Sequence, residues 1–185
     1  MTRLALPALL VFVSPAVASD PLLAIVAGRV VPNGGTVIVA AAGKPGPGEK
    51  GHTAVATLTD FRKNVTLPRG SKFDLYFKPK AGLPVRVAAG WEPSEKPVTL
   101  DDHLGTVFVR GDDLPRADSV VVTSTADPGP GEKGHVALQK AGDYKADMVV
   151  PPGTYAVWVV PFNGAKAQRV ADNIRVMAGR EVKVE

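Results

Sequence analysis

The chain has 185 residues, 45% of them hydrophobic, with 22 basic and 18 acidic side chains and no cysteine. That apolar share is enough for a folded core and excludes global disorder, while the missing thiol excludes disulfides, thiolate catalysis, Cys-based metal sites and lipid attachment at an N-terminal cysteine. Basic residues alternate with acidic ones along the whole length rather than clustering beside stacking aromatics, so the pattern argues against a nucleic-acid partner.

Residues 1–19 have the three parts of a secretory leader. Arg3 supplies the positive start, Leu4 to Val13 is apolar apart from Pro7, and Ala16-Val17-Ala18 is a small-x-small cleavage site before Ser19. The apolar run is too short to span a bilayer, and no later segment approaches the roughly 20 apolar residues a transmembrane helix needs. The expectation is a secreted or periplasmic protein with no transmembrane segment.

Beyond the leader the sequence repeats itself. Pro45-Gly46-Pro47-Gly48-Glu49-Lys50-Gly51-His52 recurs identically as Pro128-Gly129-Pro130-Gly131-Glu132-Lys133-Gly134-His135. Sliding the chain by that offset without a gap also brings Thr36-Val37-Ile38-Val39 onto Ser119-Val120-Val121-Val122. Asp60-Phe61-Arg62 falls on Asp143-Tyr144-Lys145, Pro68 and Gly70 on Pro151 and Gly153, and Arg86-Val87 on Arg169-Val170. Apolar, turn and charged positions keep phase, which marks a duplication. The spacing predicts one unit over 20–102 and a second over 103–185.

Each unit reads as short strands separated by Gly/Pro turns. In the first, the predicted strands are Ala24 to Val31, Thr36 to Ala41, His52 to Leu58, Asn64 to Leu67, Lys72 to Lys78, Val85 to Ala89 and Val98 to Leu100. In the second, Tyr155, Val157 and Val159 alternate with Ala156, Trp158 and Val160, a strand apolar on both faces and so expected at the centre of a sheet. Nothing carries sustained helical periodicity. The expected fold class is all-β: two tandem immunoglobulin/transthyretin-like β-sandwich domains after the signal peptide.

The stretch Val150-Pro151-Pro152-Gly153-Thr154-Tyr155-Ala156-Val157 resembles carboxypeptidase regulatory-like domains, of the transthyretin-like and carbohydrate-binding-like sandwich group. The Gly142-Asp143-Tyr144 turn looks like that family's hairpin before the motif, and Val176 to Val182 like its last strands. Leu67-Pro68-Arg69-Gly70 is the counterpart in the first unit, with Lys72 where Tyr is expected. The resemblance implies a non-catalytic accessory domain: a scaffold, an adhesion element or a ligand-binding module.

Candidate contact residues follow from the repeated loop. Three glycines allow close approach to a partner backbone, Glu49 and Lys50 with Glu132 and Lys133 are expected to be exposed, and His52 and His135 sit where the next strand begins. One reading makes the two loops twin contact points for a protein, glycan or envelope partner; the other makes them connecting loops kept alike by duplication. A metal-binding accessory or carrier protein using His52 and His135 is the alternative function, although one His and one carboxylate per loop fall short of zinc's four ligands. Asp101-Asp102-His103 has ligand chemistry but reads as a solvated linker. Trp158 lies mid-strand and reads as core. Trp91, within Ala89-Gly90-Trp91-Glu92-Pro93, reads as a loop residue, either a glycan contact or packing at the core or domain interface. No nucleophile–base–acid set and no Gly-x-Ser-x-Gly or His-Glu-x-x-His motif is present, so the chain reads as non-enzymatic and free of any cofactor.

Overall fold

The structure, a computed structural model, describes residues 22–32, 34–94, 96–110, 117–142 and 146–185. The leader read at 1–19 and the Asp143-Tyr144-Lys145 stretch lie outside the described residues. In chain order the strands are β1 (Leu22–Leu23), β2 (Ile25–Val26), β3 (Thr36–Ala41), β4 (Ala54–Leu58), β5 (Val65–Thr66), β6 (Phe73–Lys78), β7 (Val85–Trp91), β8 (Val98–Thr99), β9 (Gly105–Val109), β10 (Ala117–Ser124), β11 (Gln139–Ala141), β12 (Met148–Val150), β13 (Gly153–Pro161), β14 (Gln168–Val176) and β15 (Glu181–Val184). Among the described residues there is one 3-10 turn, Leu100–Asp102, between β8 and β9. No helix among the described residues is long and apolar enough to cross a membrane.

The all-β expectation holds, in layered sheets. Two four-stranded antiparallel sheets, β4-β3-β6-β7 and β11-β10-β13-β14, share one strand order. Against them pack the short pairs β1-β5 and β2-β8, and the three-stranded sheet β12-β9-β15. The β-branched runs of β3 and β10 supply the centre of each large sheet, where stiff side chains suit a pleated, buried surface. One apolar cluster gathers Leu23, Ile25, Val37, Val39, Leu75 and Phe77. A second gathers Val107, Val109, Val120, Val122, Tyr155 and Val157. Strand β13 is central, between β10 and β14, as its two apolar faces predict.

Pairing registers depart from the ungapped repeat in the short sheets, where Leu23 pairs Val65 but Val107 pairs Met148, and Ile25 pairs Val98 but Thr106 pairs Glu181, and again at β6. Val37 pairs with Leu58 and Phe77, and Val120 with Ala141 and Val159. The first two positions therefore keep the offset of the loops, whereas β13 is displaced by one residue relative to β6. Phe73, not Lys72, stands where Tyr155 stands: Phe73 pairs Ala41 and Trp91, Tyr155 pairs Ser124 and Ile174. The reason is face selection. A strand shifted by one residue turns every side chain over, so the first unit accommodates an extra turn residue after Pro68 rather than placing Lys72 in the core. The Tyr155 hydroxyl donates to the Pro151 carbonyl at 2.6 Å, closing the Pro-Pro-Gly turn. Phe73 needs no such partner.

The two halves are tied together. Gln139, fully buried at the start of β11, accepts from Leu83 N–H at 2.5 Å and donates to the Leu83 carbonyl at 3.0 Å. Its amide also donates to Val149 at 2.9 Å, and its oxygen accepts from its neighbour Lys140 at 3.2 Å. The side chain thus pairs with Leu83 as a strand backbone would, with all its hydrogen-bonding capacity used. Gly82 makes the approach possible, since a Cβ there would run into the Gln139 oxygen. Val149 completes the seam by packing into the first apolar cluster while its neighbours Met148 and Val150 face the second.

Candidate functional site

The repeated loops fold in the same way. In the first, Glu49 N–H donates to Gly46 C=O at 3.0 Å and His52 N–H to Glu49 C=O at 3.2 Å. In the second, Glu132 donates to Gly129 and His135 to Glu132 at the same two distances. Gly48, Gly51, Gly131 and Gly134 all have φ between 85° and 91°. Each loop is therefore two consecutive type II turns, with Pro then Gly in the first turn and Lys then Gly in the second; only glycine takes the third position without strain.

Side chains close the loop on itself. The His52 ring nitrogen Nδ1 lies 2.9 Å from the Pro45 carbonyl, and His135 Nδ1 lies 3.0 Å from that of Pro128. A carbonyl only accepts, so Nδ1 carries the proton in both rings. In the first loop the Glu49 carboxylate accepts from Gly46 N–H at 2.7 Å. In the second, Glu132 instead pairs with Lys166 at 3.2 Å.

Each loop rests on an aromatic ring of the large sheet. A Cβ on Gly46 would press on the Tyr76 ring, and one on Gly129 would collide with Trp158. An arginine from the next strand covers each ring: Arg86 lies 5.5 Å from the Tyr76 centroid, and Arg169 lies 5.4 Å from that of Trp158. Arg86 also donates to the Tyr76 hydroxyl at 3.1 Å, and Trp158 donates its indole N–H to Thr123 at 3.1 Å. Trp158, expected in the core, is half-buried beneath its loop. Nearly every identity in the eight repeated residues thus has an internal cause. The lysine does not: Lys50 and Lys133 are exposed, at a turn position open to any residue.

The other expected site residues lie elsewhere. Trp91 ends strand β7 rather than occupying a loop, and its half-buried ring packs against the first apolar cluster. Among the described residues no group of three or more His, Cys, Asp or Glu side chains is placed to hold a metal ion. Asp101, taken from sequence as a solvated linker residue, is a clamp. Its carboxylate accepts from the N–H groups of Arg29 at 2.5 Å, Val30 at 3.0 Å and Val31 at 2.9 Å. Burial works to raise its pKa, but the bonds from Val31, Arg29 and Val30 outweigh it and hold the carboxyl below its ordinary range. A shallow cavity of about 150 Å³ lies at the seam, lined by Pro32, Gly35, Pro79, Lys80, Ala81, Ala146 and Asp147. There burial, then the nearby Glu181 charge, raises the Asp147 pKa.

No family model, curated protein or solved structure matches the chain.

Proposed function

We propose that this chain is an exported, non-catalytic binding module of two tandem β-sandwich domains, and that it contacts its partner through Lys50 and Lys133 at the tips of the two Pro-Gly loops. The observation that carries this reading is the twin lysine. Turn geometry, the latching histidine and the aromatic floor account for the repeated prolines, glycines and histidines, and the glutamate is engaged in each loop, by Gly46 N–H or by Lys166, yet the same cation stands at the same exposed corner twice. Export is supported by the residue pattern of 1–19. The accessory role is supported by the resemblance of Val150 to Val157 to carboxypeptidase regulatory-like domains. Glu49 and His52 serve the loop itself, so they are not the residues to test.

The test replaces Lys50 and Lys133 together with Ser in the full chain. Thermal unfolding is expected to stay unchanged, because both side chains are exposed. Capture of a partner from cell-envelope extracts is expected to fall. Capture equal to the wild type, from a variant that melts normally, rejects the loops as the contact.

A further inference from the structure

We infer that copies of this chain assemble head to tail, with the β13–β14 connection of one molecule docking on the β4 edge of the next. This is independent of the lysine reading above.

The seam inside the chain supplies the pattern. There the β6–β7 connection of the first unit meets β11, an edge strand of the second. Gly82 lies against Gln139, and Leu83 bonds to it. Pro79, Lys80 and Ala81 line the seam cavity with Ala146 and Asp147. A duplicated chain holds each of these two surfaces twice, and the seam uses one copy of each. The other connection is Phe162 to Ala167, between β13 and β14. The other edge is β4, which holds the same place in the first large sheet as β11 in the second.

Both remaining surfaces are open. Gly82 and Gly164 each turn their connection with positive φ, but a Cβ on Gly82 would meet Gln139 and one on Gly164 would meet nothing. Asn163 accepts from Ala165 N–H at 3.1 Å and holds the turn. Before it, Phe162 is 77% exposed, the most exposed large hydrophobic side chain among the described residues. On β4, Ala56 and Leu58 pack on the core, while Val55, 50% exposed, and Thr57 face solvent. Residues 53–59 carry no charge, and the one charged side chain of the connection, Lys166, is paired with Glu132. No like charges oppose the contact, and an exposed aromatic on an exposed aliphatic edge is stabilised by leaving water.

The two surfaces differ and lie on different halves, so the contact is heterologous. Such contacts propagate into rings or filaments instead of closing as a two-fold pair. Ala56 stands where Gln139 stands. The contact between molecules therefore lacks the glutamine clamp, and it is weaker than the seam and concentration-dependent.

Sedimentation velocity on the full chain at rising concentration tests this. The mean mass of the wild type is expected to climb past that of a dimer. Phe162→Ser and Val55→Lys are each expected to stay monomeric over the same range and to melt like the wild type, since both side chains are exposed. Thr57→Lys replaces the edge variant if Val55→Lys melts early. The deciding sample is an equal mixture of Phe162→Ser and the edge variant. One keeps an intact edge and the other an intact connection, so the mixture is expected to form dimers and nothing larger. A wild type that stays monomeric at every concentration overturns the proposal. So does assembly that survives Phe162→Ser, or a mixture that yields no dimer. Wild-type dimers lost with the edge variant but kept with Phe162→Ser overturn it in favour of a symmetric pairing of β4 with itself.

Discussion

Asp101 shows how one side chain sets a pH dependence. Its carboxylate caps three consecutive backbone N–H groups, a nest that suits an anion. A carboxyl whose folded pKa is depressed contributes stability above its unfolded value, and that contribution is lost as pH falls through the folded pKa. Unfolding midpoints are therefore expected to drop as pH goes below about 4, and Asp101→Asn is expected to flatten that part of the profile. At neutral pH Asp101→Ala is expected to cost about 1–3 kcal/mol, since the three donors lose a charged acceptor; denaturant titration measures it. Asp147 has the opposite sign. A raised carboxyl pKa penalises the fold above it, so Asp147→Asn is expected to raise the melting temperature slightly at pH 7 and to lose that advantage in acid. Neither role is legible in sequence. Asp101 meets Val31 from 70 positions away, and an Asp-Asp-His triplet looks like any polar linker until the chain has folded.

At the scale of strands, the two edge strands β7 and β14 carry matching bulges. Between the Phe73–Trp91 and Leu75–Ala88 pairs the edge strand holds one residue more than its neighbour, and the same is true between Tyr155–Ile174 and Val157–Ala171. The extra backbone turn needs positive φ. Gly90 supplies it at 61° in one strand and Asn173 at 54° in the other. Such bulges twist an edge away from further pairing. Asn is among the few side-chain-bearing residues that tolerate this conformation, so Asn173→Gly is expected to fold with stability unchanged or slightly raised. Asn173→Val is expected to cost about 1–2 kcal/mol, read as a lower chemical-denaturation midpoint. Most strands were legible, because alternation and Gly/Pro punctuation are local: β3 matches its expected span end to end, whereas the strand expected over Ala24 to Val31 shortens to Ile25–Val26, because the N–H groups of Arg29, Val30 and Val31 go to the Asp101 carboxylate. The β6 register was not, because a gapless slide rewards Pro68 and Gly70 while the fold obeys the buried face. That preference places Phe73 opposite Trp91.

For the whole molecule, duplication was readable in eight identical residues, but not the way the halves are joined. The seam depends on a residue the duplication does not share. Gln139 occupies the position of Ala56, and it works by meeting Leu83, in a turn of the other half. Removing it takes this partner from the Leu83 N–H and carbonyl, which are partly buried, and from the Val149 carbonyl, which is buried. Gln139→Leu keeps the volume and loses every bond, so it is expected to cost about 1–3 kcal/mol, chiefly the penalty for the buried Val149 carbonyl left unpaired. The more telling readout is cooperativity. A chain fastened at its middle is expected to unfold in one calorimetric transition, with calorimetric and van't Hoff enthalpies equal. With the clamp gone, each apolar cluster still has its own sheet to hold it, and the single transition is expected to split into two. Gly82→Ala attacks the same contact from the other side, by driving a methyl group into the Gln139 amide, and is expected to split the transition in the same way. One sharp transition in both variants would mean that the buried Val149 contact, rather than the glutamine, holds the halves together.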